Sequence, residues 1–330
     1  MIQWGNAMHF TLKQLRYFDA AVRSGSISRA AAEMHISQSS ITASIDAIEQ
    51  SLGMELFRRV PAKGVQPTEA GQTVATRIAD FLEQARIFES DLMSLSGDPT
   101  GTLHLGCYAP TAPYVLPRVL KHVSKIYPAI RIDLKEDHLE ALQELLQTGR
   151  VDLALTYRRR GTETGPFQPL FLARPWALLP LDSPLADKPS VALSDLSGLP
   201  MVLLDLPTSK TYFRGVFRDH GLELNVVHTT KSSSVLRGLV AAGFGYSILN
   251  ICSKADRDGS NGYVARPIEG QVDTPEFDVA YTQASRRSTI VQAVLDISAD
   301  LARQGIFDDL VLAPETSRHA TDQTAASPKI

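Results

Sequence analysis

Between Thr11 and Gly53 the apolar positions recur at helical spacing in three short runs separated by capping residues. Thr11 and Gln14 form a T-x-x-Q capping box, Leu15, Phe18 and Val22 share one stripe, and Gly25 with Ser26 stops and recaps the chain. A second helix, Ser26 to Met34, carries Ala30, Ala31 and Ala32, small enough for another helix to approach closely. After a turn through His35 and Ile36, Ser37 caps a third helix whose inward face is Ile41, Ile45, Ile48 and Leu52, with Gly53 as its stop. The pattern predicts a helix-turn-helix. Phe57 to Gln66, broken by Pro61 and Gly64, predicts a two-stranded wing, and Thr68 restarts a helix.

That helix runs to Leu95, with Val74, Ile78, Phe81, Ala85, Phe88, Leu92 and Leu95 at alternating steps of four and three. Left wet, such a heptad seam must be covered either by the rest of its own chain or, as the favoured expectation, by a second copy in a coiled coil. Ser96 to Gly101 then forms a linker, and beyond Thr102 strand and helix patterns alternate. Strands at Leu103–Cys107, Ile130–Leu134 and Val151–Tyr157 flank helices Thr111–Tyr127 and Leu139–Gln147. A second block has strands at Trp176–Leu181, Met201–Leu204, Leu224–Val227 and Tyr246–Leu249, with helices Ser209–Asp219 and Val235–Ala242. Phe277–Tyr281 and helix Ile290–Ala302 remain. The alternation predicts parallel sheets covered by helices, in two α/β lobes with a ligand cleft between them.

Composition narrows the class. The chain has 330 residues, 44% hydrophobic and 21% charged, which excludes wholesale disorder and suggests more than one domain. A net charge of -3 points to no nucleic-acid or membrane partner, so any basic surface must be local. Two cysteines, Cys107 and Cys252, are too few for a disulfide framework or a cysteine-built zinc site. No signal peptide or membrane span is legible, so a cytoplasmic protein without a membrane partner is expected.

A recognition helix needs short polar side chains at its amino end and an apolar face behind. Ser37, Gln38, Ser39, Ser40 and Thr42 meet the first need, Ile41, Ile45 and Ile48 the second. The runs Ser26 to Ala32, Ile36 to Thr42, Leu52 to Arg59 and Pro67 to Gly71 together resemble the amino-terminal domain of LysR-type transcriptional regulators. Gly149 to Leu155 and Val240 to Ser247 are similar to segments of that family's periplasmic-binding-protein-like effector domain. The resemblance implies a winged helix-turn-helix over residues 1–67, a dimerising linker helix over 68–97 and a two-lobed effector domain over 98–313. Lobe I would span about 102–175 and 276–313, lobe II about 176–275, and 314–330 would be a disordered tail.

The resemblance also implies that Gln38, Ser39 and Thr42 face bases and that Ser37 and Ser40 reach bases or phosphates. Arg29, Arg58, Arg59 and Lys63 would hold the DNA backbone. The chain departs from the family's usual Pro-Ala and later basic residue, having Ser39-Ser40, Ala43 and Asp46 instead. Asp46 cannot hold a phosphate, which shifts affinity to the wing and to multiple copies. Double-stranded DNA, a small effector and further copies of the chain are the implied partners: a homodimer through the linker helix, assembling into a homotetramer. A cytosolic small-molecule binding protein whose helix-turn-helix makes protein contacts is the competing reading.

In such a lobe, helix amino ends at the sheet's carboxyl edge favour anionic or strongly polar groups. Thr111, the pair Thr208 and Ser209, and Ser232, Ser233 and Ser234 place hydroxyls at three such ends, each also explicable as an N-cap. His138 and Tyr157 are weaker members of the set, and Phe244 and Tyr246 read as core. The expected effector is small and polar or anionic. His104, Cys107, His138, Asp152 and His228 form no catalytic motif, so neither an enzyme nor a metal or cofactor site is expected. Gly243-Phe244-Gly245 reads as a helix-to-strand turn, and Arg158-Arg159-Arg160 as a solvated loop.

Overall fold

The computed structural model describes residues 10–60, 64–94, 98–158 and 165–314. The chain divides into two units, Met1–Leu95 and Ser96–Ile330.

In the first unit α1 (Leu12–Ser24) begins at the Thr11 capping box, with Gln14 N donating to Thr11 Oγ1 at 3.2 Å and Thr11 N donating to Gln14 Oε1 at 2.7 Å. Helices α2 (Ile27–Glu33) and α3 (Gln38–Leu52) begin at Ser26 and Ser37, whose hydroxyls accept from the N3 amides. Gly25 and Gly53 end α1 and α3 in the left-handed conformation. Phe18, Ile41, Ile45, Ile48 and Leu56 are buried at the centre, each contributing about 1.5–3 kcal/mol by leaving water. Leu52, expected on the inward face of α3, is 39% exposed instead, because the chain turns away at Gly53.

Strands β1 (Phe57–Val60) and β2 (Gly64–Pro67) pair antiparallel as the wing, with Arg58 opposite Gln66. Helix α4 (Glu69–Ser94) starts beside it, and Gly71 is required there: a Cβ would lie 1.9 Å from the Leu56 carbonyl oxygen. The heptad seam of α4 divides. Val74 and Ile78 pack on the helix-turn-helix core, whereas Phe81, Phe88 and Leu92 are exposed on this chain. Leu95, the last seam position, lies outside the described residues.

The second unit opens with β3 (Gly101–Tyr108), α5 (Ala112–Ile126), β4 (Ile130–Asp137), α6 (Leu139–Gln147), β5 (Leu153–Arg158) and β6 (Phe167–Leu172). It continues with β7 (Trp176–Pro180), α7 (Leu193–Leu196), β8 (Pro200–Leu204), α8 (Pro207–Arg218), β9 (Asn225–Thr230) and α9 (Ser233–Ala241). Last come β10 (Ser247–Leu249), α10 (Lys254–Arg257), β11 (Tyr263–Pro267), β12 (Glu276–Tyr281) and α11 (Thr289–Arg303).

Lobe I has a five-stranded sheet ordered β4-β3-β5-β12-β6. Its first three strands are parallel, as the βαβ alternation predicts, but β12 returns antiparallel to both neighbours. The sequence gives no strand at β6, because Pro169 interrupts the run; as an edge strand with a register shift opposite Phe277 and Asp278, β6 tolerates the missing N–H. Lobe II departs further from the parallel expectation: β10-β7-β11 is antiparallel, and only β8 and β9 run parallel. Tyr246 bridges to Met201 of β8. The turn into that bridge explains Gly245, whose φ is 137° and where a Cβ would sit 2.2 Å from the Pro200 oxygen. Phe244, expected in the core, is 48% exposed, and its ring meets the edge of His228.

Candidate functional site

The amino end of α3 is a cluster of exposed hydroxyls. Ser37 Oγ lies 2.8 Å from Ser39 Oγ and 2.9 Å from Ser40 Oγ, while Gln38 is exposed beside them. Thr42 is half-buried, and its Oγ1 donates to the Gln38 carbonyl at 3.1 Å. Ile41, Ser44 and Ile45 form the buried back of the same helix, so α3 cannot rotate without exposing them. Arg58 stands exposed on the wing, anchored through Glu49 Oε1, which accepts from the amides of Leu56 and Phe57 at 2.6 and 3.0 Å. Arg29 is exposed, with one guanidinium N–H donating to the Ser24 carbonyl. Asp46 lies exposed along α3. The Arg59 side chain and all of Lys63 lie outside the described residues, as do Arg159 and Arg160.

In the second unit the lobes meet around a narrow cavity lined by Tyr108, Thr111 and Tyr157 from lobe I and Leu204, Arg237 and Asn250 from lobe II. Only about 20 Å³ is open to the centre of a water molecule, room for about one water. Thr111 is buried at the start of α5 and does not cap it; its hydroxyl donates to the Tyr108 carbonyl at 2.9 Å. Ser209 is fully buried, and its Oγ lies 2.6 Å from Tyr108 Oη, a hydrogen bond that joins the lobes. Tyr157 packs edge-on between Tyr108 and Phe277, with centroids 5.6 and 4.9 Å away.

Helix α8 begins at Pro207, so Thr208 and Ser209 lie inside its first turn, and the cap position is Leu206, not either hydroxyl as the sequence implied. Thr208 instead bonds to Glu140 of α6. His138 is the N-cap of α6, its Nδ1 accepting from Ala141 N at 3.2 Å. Ser232 is a plain N-cap for α9, and neither it nor Ser233 nor Ser234 lines the cavity. Their helix contributes Arg237 one turn later.

Arg237 is a charged group of this cavity that no sequence signal singled out. Buried, it forms a bidentate pair with Asp256 at 2.8 and 3.3 Å and lies over the Tyr114 ring of lobe I at 5.4 Å. Burial lowers its basicity, and Asp256 more than restores it, leaving the guanidinium above its ordinary value. Asn250, also missed, donates from Nδ2 to the Ala173 carbonyl and Tyr212 Oη at 2.8 and 3.1 Å. Neither could be placed beside Thr111 by spacing, since only the lobe packing joins them.

The residues weighed for catalysis do not assemble. His104 Nδ1 lies 3.4 Å from Asp152 Oδ2, but His138 caps α6 and His228 stands on β9 of the other lobe. Cys107 is buried, and desolvation drives its thiol far above the usual range. Cys252 is buried too, and desolvation pushes it up to about 11 against the opposing pull of Arg257.

Comparison with known proteins joins these two surfaces. Residues 12–72 match the family model "Bacterial regulatory helix-turn-helix protein, lysR family", and residues 96–303 match "LysR substrate binding domain". The chain is 31% identical to a probable hydrogen peroxide-inducible genes activator of Streptomyces viridosporus, over 72% of this chain and 77% of that one. HinK, a LysR family transcriptional regulator from Pseudomonas aeruginosa, is 28% identical with a TM-score of 0.58, covering 89% and 98% of the two chains. A full-length OxyR variant from Pseudomonas aeruginosa shares the fold at a TM-score of 0.66, with 23% identity and coverage of 88% and 98%.

Proposed function

The chain belongs to the LysR family of transcriptional regulators, and from that we propose how its two surfaces act. Regulators of this family bind DNA and small-molecule effectors and form oligomers. In our reading Gln38, Ser39 and Thr42 contact base edges, while Ser37, Ser40, Arg29 and Arg58, with Arg59 and Lys63 of the wing, position the backbone. The exposed seam of Phe81, Phe88 and Leu92 pairs two copies in the cytoplasm, and dimers associate into a tetramer. The cavity between the lobes takes a small polar or anionic metabolite.

The hydrogen bond between Tyr108 and Ser209 carries the effector reading. A ligand that wedges the lobes apart breaks this buried bond and must offset its loss with polar atoms of its own. Arg237 attracts an anion less than its charge suggests, since Asp256 already meets it. A peroxide signal, suggested by the name of the Streptomyces relative, fits poorly: the thiolate is the reactive form, and both thiols here are buried and raised.

Two experiments test the proposal. Gln38→Ala should relax preference at particular base pairs by about 1–3 kcal/mol, whereas Arg58→Ala should weaken all sequences alike and reduce the salt slope by about 1. Equal loss of sequence preference in both would reject the assignment. In a thermal-shift screen of carboxylates and other small metabolites, a ligand at about 100 times its Kd should stabilise by roughly 2.7 kcal/mol. Thr111→Val should lose that shift and Ser233→Ala should keep it; a ligand bound equally by parent and Thr111→Val would place the pocket elsewhere.

A further inference from the structure

Helix α6 of lobe I and α8 of lobe II meet through their first turns. Glu140 sits in the first turn of α6 and Thr208 in the first turn of α8, and the Glu140 carboxylate accepts the Thr208 hydroxyl. It also receives a backbone hydrogen bond at Thr208, and its second oxygen lies 3.1 Å from His138 Nδ1. The amino ends of helices carry partial positive charge, so two of them facing each other repel unless an anion lies between. Glu140 is that anion. Although partial burial pushes its pKa up, the hydrogen bond from Thr208 holds it below the ordinary glutamate value.

Glu140 and Thr208 also line two further hollows together. One, of about 110 Å³, lies beneath α6 and is walled by Leu142, Phe167 and Ala280; the other, of about 710 Å³, opens along the outer face of α8. The neighbouring Ser209 makes the buried bond to Tyr108. Consecutive residues of one helical turn therefore tie lobe II to lobe I twice, once at the rim through a carboxylate and once inside through a tyrosine.

We propose that Glu140 is the residue that sets lobe closure: a latch between the amino ends of α6 and α8 that must open before the lobes separate to admit a metabolite. Its bearing on the effector rests on the reading of the cavity given above, but the latch itself is testable without any effector.

Spin labels at Ser124→Cys on α5 and Glu223→Cys in lobe II, both exposed, report lobe separation in the full chain, diluted with unlabelled chain to remove distances between copies. Glu140→Gln and Thr208→Val are nearly isosteric and should fold. Each should move the distance distribution to longer values by a similar amount, and the double variant should move it no further than either alone. An unchanged distribution in either single variant, or shifts that add in the double, would overturn the latch. A failed metabolite screen beside the expected shifts would instead reject the effector assignment and leave the latch standing.

Discussion

In the N-terminal unit the residues proposed to contact base edges lie within five consecutive positions, Gln38 to Thr42, mostly exposed on a helix whose opposite face is buried. In the effector unit the cavity is assembled from Tyr108, Thr111, Tyr157, Arg237 and Asn250, on segments far apart in the chain, and all five are buried. The first surface is decoration on a finished scaffold, so its side chains can change without disturbing the core. The second is part of the scaffold, where the hydroxyl of Tyr108 also makes the bond that joins the lobes. Sequence preference can therefore diverge between relatives at little cost in stability, while a change of effector needs compensating changes in packing.

The strongest way to break this contrast is to make an exposed surface of the first unit indispensable. Replacing Phe81 and Phe88 by Asp should leave the fold intact, because both rings are exposed on the single chain. It should nevertheless yield monomers and lower operator affinity by about 100-fold or more, since two half-sites then bind without linkage. Sedimentation and a binding titration check both parts. Dimers persisting in the variant would mean that the seam is not the interface.

Hydroxyls of the same chemistry sharpen the contrast further. Ser209→Ala removes the buried hydrogen bond to Tyr108 and should cost about 1.5 kcal/mol of unfolding free energy. Ser39→Ala, at an exposed position, should stay within about 0.5 kcal/mol. Denaturant titrations read both, and equal costs would erase the distinction.

Asp278 supplies the smallest of these effects. It lies fully buried in β12; Arg158 Nε is 3.0 Å from Oδ2, yet neither carboxylate oxygen receives a well-directed hydrogen bond. Desolvation pushes its pKa up to about 6 despite Arg158. A folded-state pKa above the unfolded value favours folding at low pH, and that contribution is lost as pH rises through 6. Asp278→Asn should thus match the parent near pH 5 and exceed its stability near pH 8 by on the order of 1 kcal/mol, less than the full linkage because the Arg158 pairing is also lost. Thermal melts at the two pH values test this; a variant less stable at pH 8 would show that the ion pair outweighs desolvation.

The sequence by itself determined the helix-turn-helix, because its signals act over three or four residues. Thr11, Ser26 and Ser37 satisfy amides one turn away, and Gly25 and Gly53 supply left-handed stops, whatever the rest of the chain does. The parallel core of β4, β3 and β5 was legible for the same reason, as each βαβ unit closes locally. Tertiary structure alone decided the return of β12 between β5 and β6, the use of Pro169 at an edge, and the division of the α4 seam into packed and exposed halves. It also decided which hydroxyls matter: Ser232 caps a helix, whereas Thr111 and Ser209 are withdrawn from capping and turned to Tyr108, and Thr208 to Glu140. A hydroxyl at a helix start has the same local sequence in either role. Only the element that packs against it, contributed from many residues away, settles which bond it makes.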